Sequence, residues 1–256
     1  MEEFLSDGVA IAYLDFEPVA ADRNEPIILI HGFASTHAVN WLFTQWVKTL
    51  TEDGRRVILL DNRGHGRSQK LYDPAAYSLE AMAGDVARLL DHLGIQHADV
   101  MGYSMGARIA TVFALLNPDR TRCLVLGGVG SNLVAPNGLP SGLAEAMEIE
   151  RIEDIDDHGL KIFRGFAEST RSDLKALAAC ARGAAGSGFD PATLAKVEPP
   201  TLVCVGTRDE VAGDPHPLAK LIPDVRIVDI PGRDHNRAVG DRIYKQAVLE
   251  FLAARP

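Results

Sequence analysis

Cysteine is scarce in this 256-residue sequence: Cys123, Cys180 and Cys204 are too few and too scattered for a disulfide framework. Two of them fall in predicted strands, where a buried thiol acts as a small hydrophobe, a reading compatible with a reducing compartment. No cluster of ligands has metal-site spacing, and no glycine-rich dinucleotide fingerprint follows the first buried strand, so neither a metal nor another cofactor is expected. Basic charge is also in the minority, with 26 Lys and Arg against 35 Asp and Glu. No run of Lys or Arg forms a stripe suited to a phosphate backbone, which argues against a nucleic-acid partner. Apolar runs of membrane-spanning length are lacking, and the start Met1-Glu2-Glu3 has no basic region ahead of an apolar stretch. The expectation is a cytoplasmic protein without stable membrane insertion. What the chain does have is 46% hydrophobic residues, enough at this length for one large core and a single domain.

Ile27 to Ile30 is continuously apolar, as expected for a strand covered on both faces, Arg56 to Asp61 reads as another buried strand, and Ala98 to Met101, Cys123 to Leu126, Thr201 to Gly206 and Val225 to Ile230 read as further strands. Val9 to Phe16 and Glu17 to Ala20 read as two further strands paired at one edge. Helical spacing appears at Ala38 to Leu50, Ser78 to Leu93, Ala107 to Leu116 and Ile243 to Leu252, with Ser78 placed to cap its helix. Strand, helix and strand in alternation predict an α/β fold with a mostly parallel sheet of about eight strands and helices on both faces. From about 131 to 191 the pattern changes to amphipathic stretches near Leu143 to Ile152, His158 to Phe166 and Asp173 to Arg182. That region reads as a helical insert between core segments 1–130 and 192–256. Gly186-Ser187-Gly188 lacks a preceding strand and reads as a linker.

Gly102-Tyr103-Ser104-Met105-Gly106 joins the strand Ala98 to Met101 to the helix beyond it. Gly-x-Ser-x-Gly in that setting is a nucleophile elbow, with a serine on a sharp turn and glycines where backbones crowd. A serine hydroxyl attacks only when an imidazole accepts its proton, and that imidazole needs an acid on its far side. His235, in the loop after the last strand, is the candidate base. His65 is a rival set between glycines, but it precedes the serine, against the hydrolase order of serine, acid and histidine. Asp209 follows the end of the strand Thr201 to Gly206 most directly and is the favoured acid, while Glu210, Asp214 and Asp234 are close enough to compete. Asp214 also suits a helix cap ahead of Pro215. The oxyanion formed during attack calls for two backbone donors, assigned to Met105 after the nucleophile and to Phe33 in the loop after the first buried strand.

On His31-Gly32-Phe33, the segment Asp61 to Ser68, the elbow, Asp209 and His235, the chain resembles the α/β-hydrolase superfamily over nearly its whole length. Within it, the chain resembles small bacterial carboxylesterases and enol-lactonases. The resemblance implies the α/β-hydrolase fold with a small helical cap, and a Ser104, His235 and Asp209 triad acting on a small ester, lactone or thioester through an acyl-enzyme. Carbon-carbon bond hydrolases, perhydrolases and hydroxynitrile lyases share that triad, and a non-enzymatic ligand receptor shares the fold. Asp61, Arg63 and Ser68 read as loop braces, as does His31. For the substrate, the aromatic candidates are Trp41, Phe163, Phe166 and Phe189, and the cap candidates for a substrate carboxylate are Arg164, Arg171 and Arg182.

Overall fold

The computed structural model describes residues 1–135, 138–186 and 188–254. The chain begins with an edge pair, β1 (Glu2–Ser6) and β2 (Val9–Phe16), antiparallel to each other. There follow β3 (Ile27–Ile30), α1 (Trp46–Glu52), β4 (Val57–Leu60), α2 (Leu79–His92), β5 (Ala98–Tyr103), α3 (Met105–Leu116) and β6 (Thr121–Gly127). After β6 come the short helices α4 (Leu143–Glu148), α5 (His158–Ser169), α6 (Leu174–Gly183) and α7 (Pro191–Leu194). The sheet resumes with β7 (Thr201–Gly206) and β8 (Val225–Ile230), and the chain closes with α8 (His235–Ala238) and α9 (Arg242–Ala254).

The eight strands form one sheet in the order β1-β2-β4-β3-β5-β6-β7-β8, parallel from β4 onward. Its inner strands β3 and β4 read as continuous apolar runs because both faces are covered, whereas the edge strands β1 and β8 are mostly exposed or half-buried. In β3, Ile28 and Ile30 pack into the layer held by Val86 and Leu89 of α2 and Phe113 of α3. Ile27 and Leu29 face the opposite layer, with Leu50 of α1 and Tyr244 and Val248 of α9. The period of two thus serves two cores, and each fully buried Ile or Leu contributes about 1.5–3 kcal/mol. At the start of α2, the Ser78 hydroxyl accepts from the Ala81 N–H at 3.1 Å, a cap that satisfies one otherwise orphan donor.

Strand order fixes where a site can form. From β3 the chain turns to β4 on one side, and from β5 to β6 on the other, so the carboxyl ends of β3 and β5 flank a topological switch point. The loops leaving those two strands carry His31 to Phe33 and Ser104. Over this crevice lies the helical cap, with Phe163 of α5 edge-on to Phe33 at 6.4 Å between ring centroids.

Two expectations of local structure are corrected. Glu17 to Ala20 is not a strand: Pro18 has no N–H, Val19 and Ala20 both donate to the Thr51 carbonyl, and β1 takes the edge instead. Ala38 to Leu50 is not one helix either. A wide turn at Ala38–Leu42 gives way at Gln45, whose φ of 65° is left-handed, before α1 begins. That break buries Trp41 and Trp46 while leaving Phe43 76% exposed. Ser187 of the linker lies outside the described residues.

Candidate active site

Ser104 sits between β5 and α3 with φ 56° and ψ −118°. A non-glycine residue held there is strained by about 1–3 kcal/mol, so the surroundings must over-determine the turn. They do so by close approach. A Cβ on Gly102 would stand 2.2 Å from the Gly106 carbonyl oxygen, and one on Gly106 would stand 2.0 Å from that of Ile30. The Ser104 N–H donates to the Gly127 carbonyl at 2.8 Å, tying the elbow to β6.

His235 opens α8, where the Asp234 carboxylate accepts from the N–H groups of Asn236 and Arg237. Its Nε2 is 3.0 Å from Ser104 Oγ, and its Nδ1 is 2.8 Å from Asp209 Oδ2. With Asp209 accepting at Nδ1, that nitrogen carries the proton and Nε2 presents its lone pair to the serine. Asp209 is buried, and its Oδ1 also accepts from Val211 and Ala212 N–H at 3.1 and 2.8 Å, so the carboxylate is fixed from three directions. The Tyr103 hydroxyl donates to the His235 carbonyl at 2.6 Å and holds the imidazole loop against the sheet. Burial pushes that phenol well above its ordinary pKa, and nearby Asp209 adds to the rise, so it stays a donor.

The other acid candidates lie elsewhere. Asp214 is exposed and accepts from the His216 N–H and Nδ1, a local turn contact. Asp234 caps α8. Glu210 lies on the cavity wall rather than against the imidazole.

Phe33 and Met105 flank the serine. Among the described residues, neither N–H has an acceptor within the chain. The loop carrying Phe33 is braced from behind. Asn40 Oδ1 accepts from Gly32 N–H at 2.9 Å, and His31 Nδ1 donates to the Gly32 carbonyl at 2.8 Å. His31 Nε2 accepts from the Asn62 N–H at 3.0 Å, and burial lowers its pKa against the pull of Asp61. His65 is fully buried, donates from Nδ1 to the Arg63 carbonyl at 2.9 Å, and is driven down to about 3 by burial first and by His31 second. Neither imidazole reaches Ser104. In the same loop, burial alone would raise the Asp61 pKa, but the bond from His37 Nδ1 at 2.9 Å, the neighbouring His31 and His37 imidazoles and the Arg67 N–H outweigh it and hold the carboxyl well below the carboxylate range. Arg63 grips Asp85 of α2 with two bonds, at 2.8 and 2.7 Å. Ser68 Oγ donates to the Asp61 carbonyl at 2.6 Å.

A cavity of about 580 Å³ opens on Ser104 and His235. Phe33, Phe163 and Phe166 line it. Trp41 does not: it is fully buried beneath, edge-on to Trp46 at 6.5 Å. Phe189 is buried too, outside the lining. The cap arginines are also placed elsewhere. Arg164 is 4% exposed, and its guanidinium donates to the carbonyls of Ala146 and Ile149 and to Glu168. Arg182 pairs with Glu148 on an outer groove, and exposed Arg171 takes a left-handed φ of 54°. The cations that do line the cavity are Arg208 and Arg237, beside the acid and the imidazole in sequence. Adjacency to Asp209 and His235 was the signal for them, as was position within the elbow for Tyr103. Asn40 had only its place after the His31 loop to mark it. Among the described residues, no group of three or more His, Cys, Asp or Glu side chains converges as a metal-binding cluster.

A strained serine on a strand-to-helix elbow, contacted by an imidazole that a buried carboxylate orients, defines a serine hydrolase on a doubly wound α/β sheet. The chain belongs to the alpha/beta hydrolase fold family, whose profile matches residues 25–197. It is 27% identical to a Bacillus subtilis (strain 168) protein named "Putative 2-succinyl-6-hydroxy-2,4-cyclohexadiene-1-carboxylate synthase", over 98% of this chain and 97% of that one. A hydrolase from Pseudomonas aeruginosa PA01 superposes with a TM-score of 0.78 at 25% identity, covering 99% of this chain and 98% of its own. A thermophilic esterase from Thermogutta terrifontis gives 0.74 at 25% identity, covering 98% and 97%. No helix among the described residues is long and apolar enough to cross a membrane.

Proposed function

We propose that this protein hydrolyses small carboxylic esters or lactones through an acyl-enzyme on Ser104. The observation that carries the reading is the continuous contact from Asp209 to His235 to Ser104, at 2.8 and 3.0 Å, opening on a cavity sized for a small ligand. Ser104 Oγ attacks the acyl carbon as its proton passes to His235 Nε2, and Asp209 stabilises the imidazolium that forms. The oxyanion takes the Phe33 and Met105 N–H groups, which need no rearrangement to receive it. His235 then gives its proton to the leaving oxygen, and water repeats the sequence to release the acid. The similarity to an esterase at 25% identity supports the ester class. In this reading, residues 1–256 act as one domain, with about 131–191 as the cap that closes the cavity. That Cys123, Cys180 and Cys204 are buried thiols, with no disulfide among the described residues, supports a cytoplasmic setting.

The test is Ser104→Ala. The folded variant loses p-nitrophenyl butyrate turnover by on the order of 10⁴-fold and forms no adduct with a phosphonate. Wild-type turnover by a variant with an unchanged melting profile refutes the assignment.

A further inference from the structure

The cavity has two unlike walls, and the chemistry of the step assigns a half of the substrate to each. His235 must deliver its proton to the leaving oxygen, so the leaving group lies beside the loops that carry His235 and Asp209. The segments around those two residues line the cavity with the polar Arg208, Glu210, Asp234, Asn236 and Arg237, interrupted by Val211 and Val239. That wall holds two cations and two carboxylates, so it presents no net charge. Arg237 Nε is 3.6 Å from Asp234, whose carboxylate caps α8, whereas the side chains of Arg208, Glu210 and Asn236 have no partner among the described residues. The cap contributes only apolar groups, Ile162, Phe163 and Phe166, and Phe33 and Val39 extend that side, with Ser35, Asn40 and Thr44 as its polar members. Phe33 carries an oxyanion donor on its backbone and packs on Phe163, so this wall adjoins the acyl half.

We infer that the preferred substrates join an apolar acyl group to a neutral, polyhydroxylated alcohol, with Phe163 and Phe166 receiving the acyl chain and Arg208, Glu210 and Asn236 the hydroxyls. This rests on the serine mechanism proposed above. A hydroxyl both donates and accepts, which suits a wall of mixed sign. An alcohol of one charge meets its own sign on that wall as often as the opposite one. An aliphatic alcohol leaves the polar groups it covers unpaired, which costs binding.

Competition between acyl acceptors reads the leaving-group wall directly. The acyl-enzyme is formed from p-nitrophenyl butyrate with release of nitrophenol, and glycerol or 1-butanol at equal concentration competes with water. The acceptor oxygen bonds to the acyl carbon as its proton passes to His235, and His235 hands that proton to Ser104 Oγ as the Ser104 ester bond breaks, giving the new ester and the free serine. Glycerol monobutyrate is expected about tenfold over butyl butyrate, beyond the twofold excess of primary hydroxyls. Asn236→Ala and Arg208→Ala each lower that ratio severalfold. Phe163→Ala keeps the ratio but flattens the preference among acetyl, butyryl and hexanoyl donors. Equal or greater transfer to butanol overturns the inference, as does a ratio unmoved by both polar substitutions. Absence of a nitrophenol burst tied to Ser104 instead removes the serine mechanism itself, so the two failures are distinguishable.

Discussion

His65 makes stability depend on pH in a way the structure specifies. Its ring is fully buried, with Nδ1 donating to the Arg63 carbonyl and Nε2 without a hydrogen-bond partner among the described residues, in contact with His31 at 5.3 Å and Phe33 at 5.9 Å between centroids. Burial favours the neutral form, lowering the folded pKa from 6.5 to about 3. The unfolded chain therefore binds the proton first as pH falls. The stabilisation is fully present above pH 6.5 and is lost progressively down to pH 3, at about 1.4 kcal/mol per pH unit. At the lower limit it amounts to on the order of 5 kcal/mol, comparable with the net stability of many domains. His65→Asn removes this titration while retaining an amide that can donate to Arg63. Urea unfolding at pH 7.5, 6.5, 5.5 and 4.5 gives the wild-type and variant free energies. Whatever the pH-independent cost of the substitution, the gap between the curves is flat above 6.5. Between 6.5 and 4.5 it then moves by about 2 kcal/mol in the variant's favour. The acidic groups titrate in both proteins, so they cancel in the difference; a His31→Asn background in both arms removes the coupled titration of His31. Curves that fall in parallel across the whole range refute the reasoning.

Gly106→Ala drives a Cβ into the Ile30 carbonyl, so it should cost about 1–3 kcal/mol or more by chemical denaturation and misplace Ser104 enough to lower kcat. Asp85→Ala leaves the Arg63 guanidinium buried without its carboxylate, and a loss of about 3–5 kcal/mol is expected in the same assay. Arg164→Ala strips the donors from the Ala146 and Ile149 carbonyls at the end of α4. The expected loss is about 2–3 kcal/mol, with kcat/KM falling equally for neutral and anionic esters of matched size. A selective effect on the anionic ester would return Arg164 to the substrate.

The parts of the fold legible in the sequence were those with one environment per residue. β3, β4 and β7 are buried on both faces and read as apolar runs, and Thr201–Gly206 and Val225–Ile230 end where the pattern ends. β1 alternates exposed and buried positions over only five residues, beginning with two glutamates, and its partner's identity depends on a hairpin that periodicity does not encode. The elbow was legible because its glycines are sterically required at fixed spacing. The loops carrying Asp209 and His235 were legible because each follows a strand. The break at Gln45 was not, since a left-handed glutamine has no compositional mark and Val39, Leu42, Trp46, Val47 and Leu50 fit a continuous helix.

The arginines show where residue type stops being informative. Arg164, Arg182 and Arg208 are chemically identical, and the sequence placed the first two on cap helices as candidates for a substrate carboxylate. In the structure, Arg164 lies within reach of the unpaired carbonyls at the end of α4, and they take its donors before any ligand does. Arg182 faces two glutamates on the outer surface. Both outcomes depend on helix rotation and on which acceptors the neighbouring turn leaves open, quantities set by packing. Arg208 is different in kind. It stands next to Asp209, and the strand that delivers the acid to His235 delivers Arg208 to the rim of the same cavity. A triad built on loops at one edge of a sheet brings its sequence neighbours with it. Residues one position from a triad member are therefore better first candidates for substrate contact than charged residues on a cap.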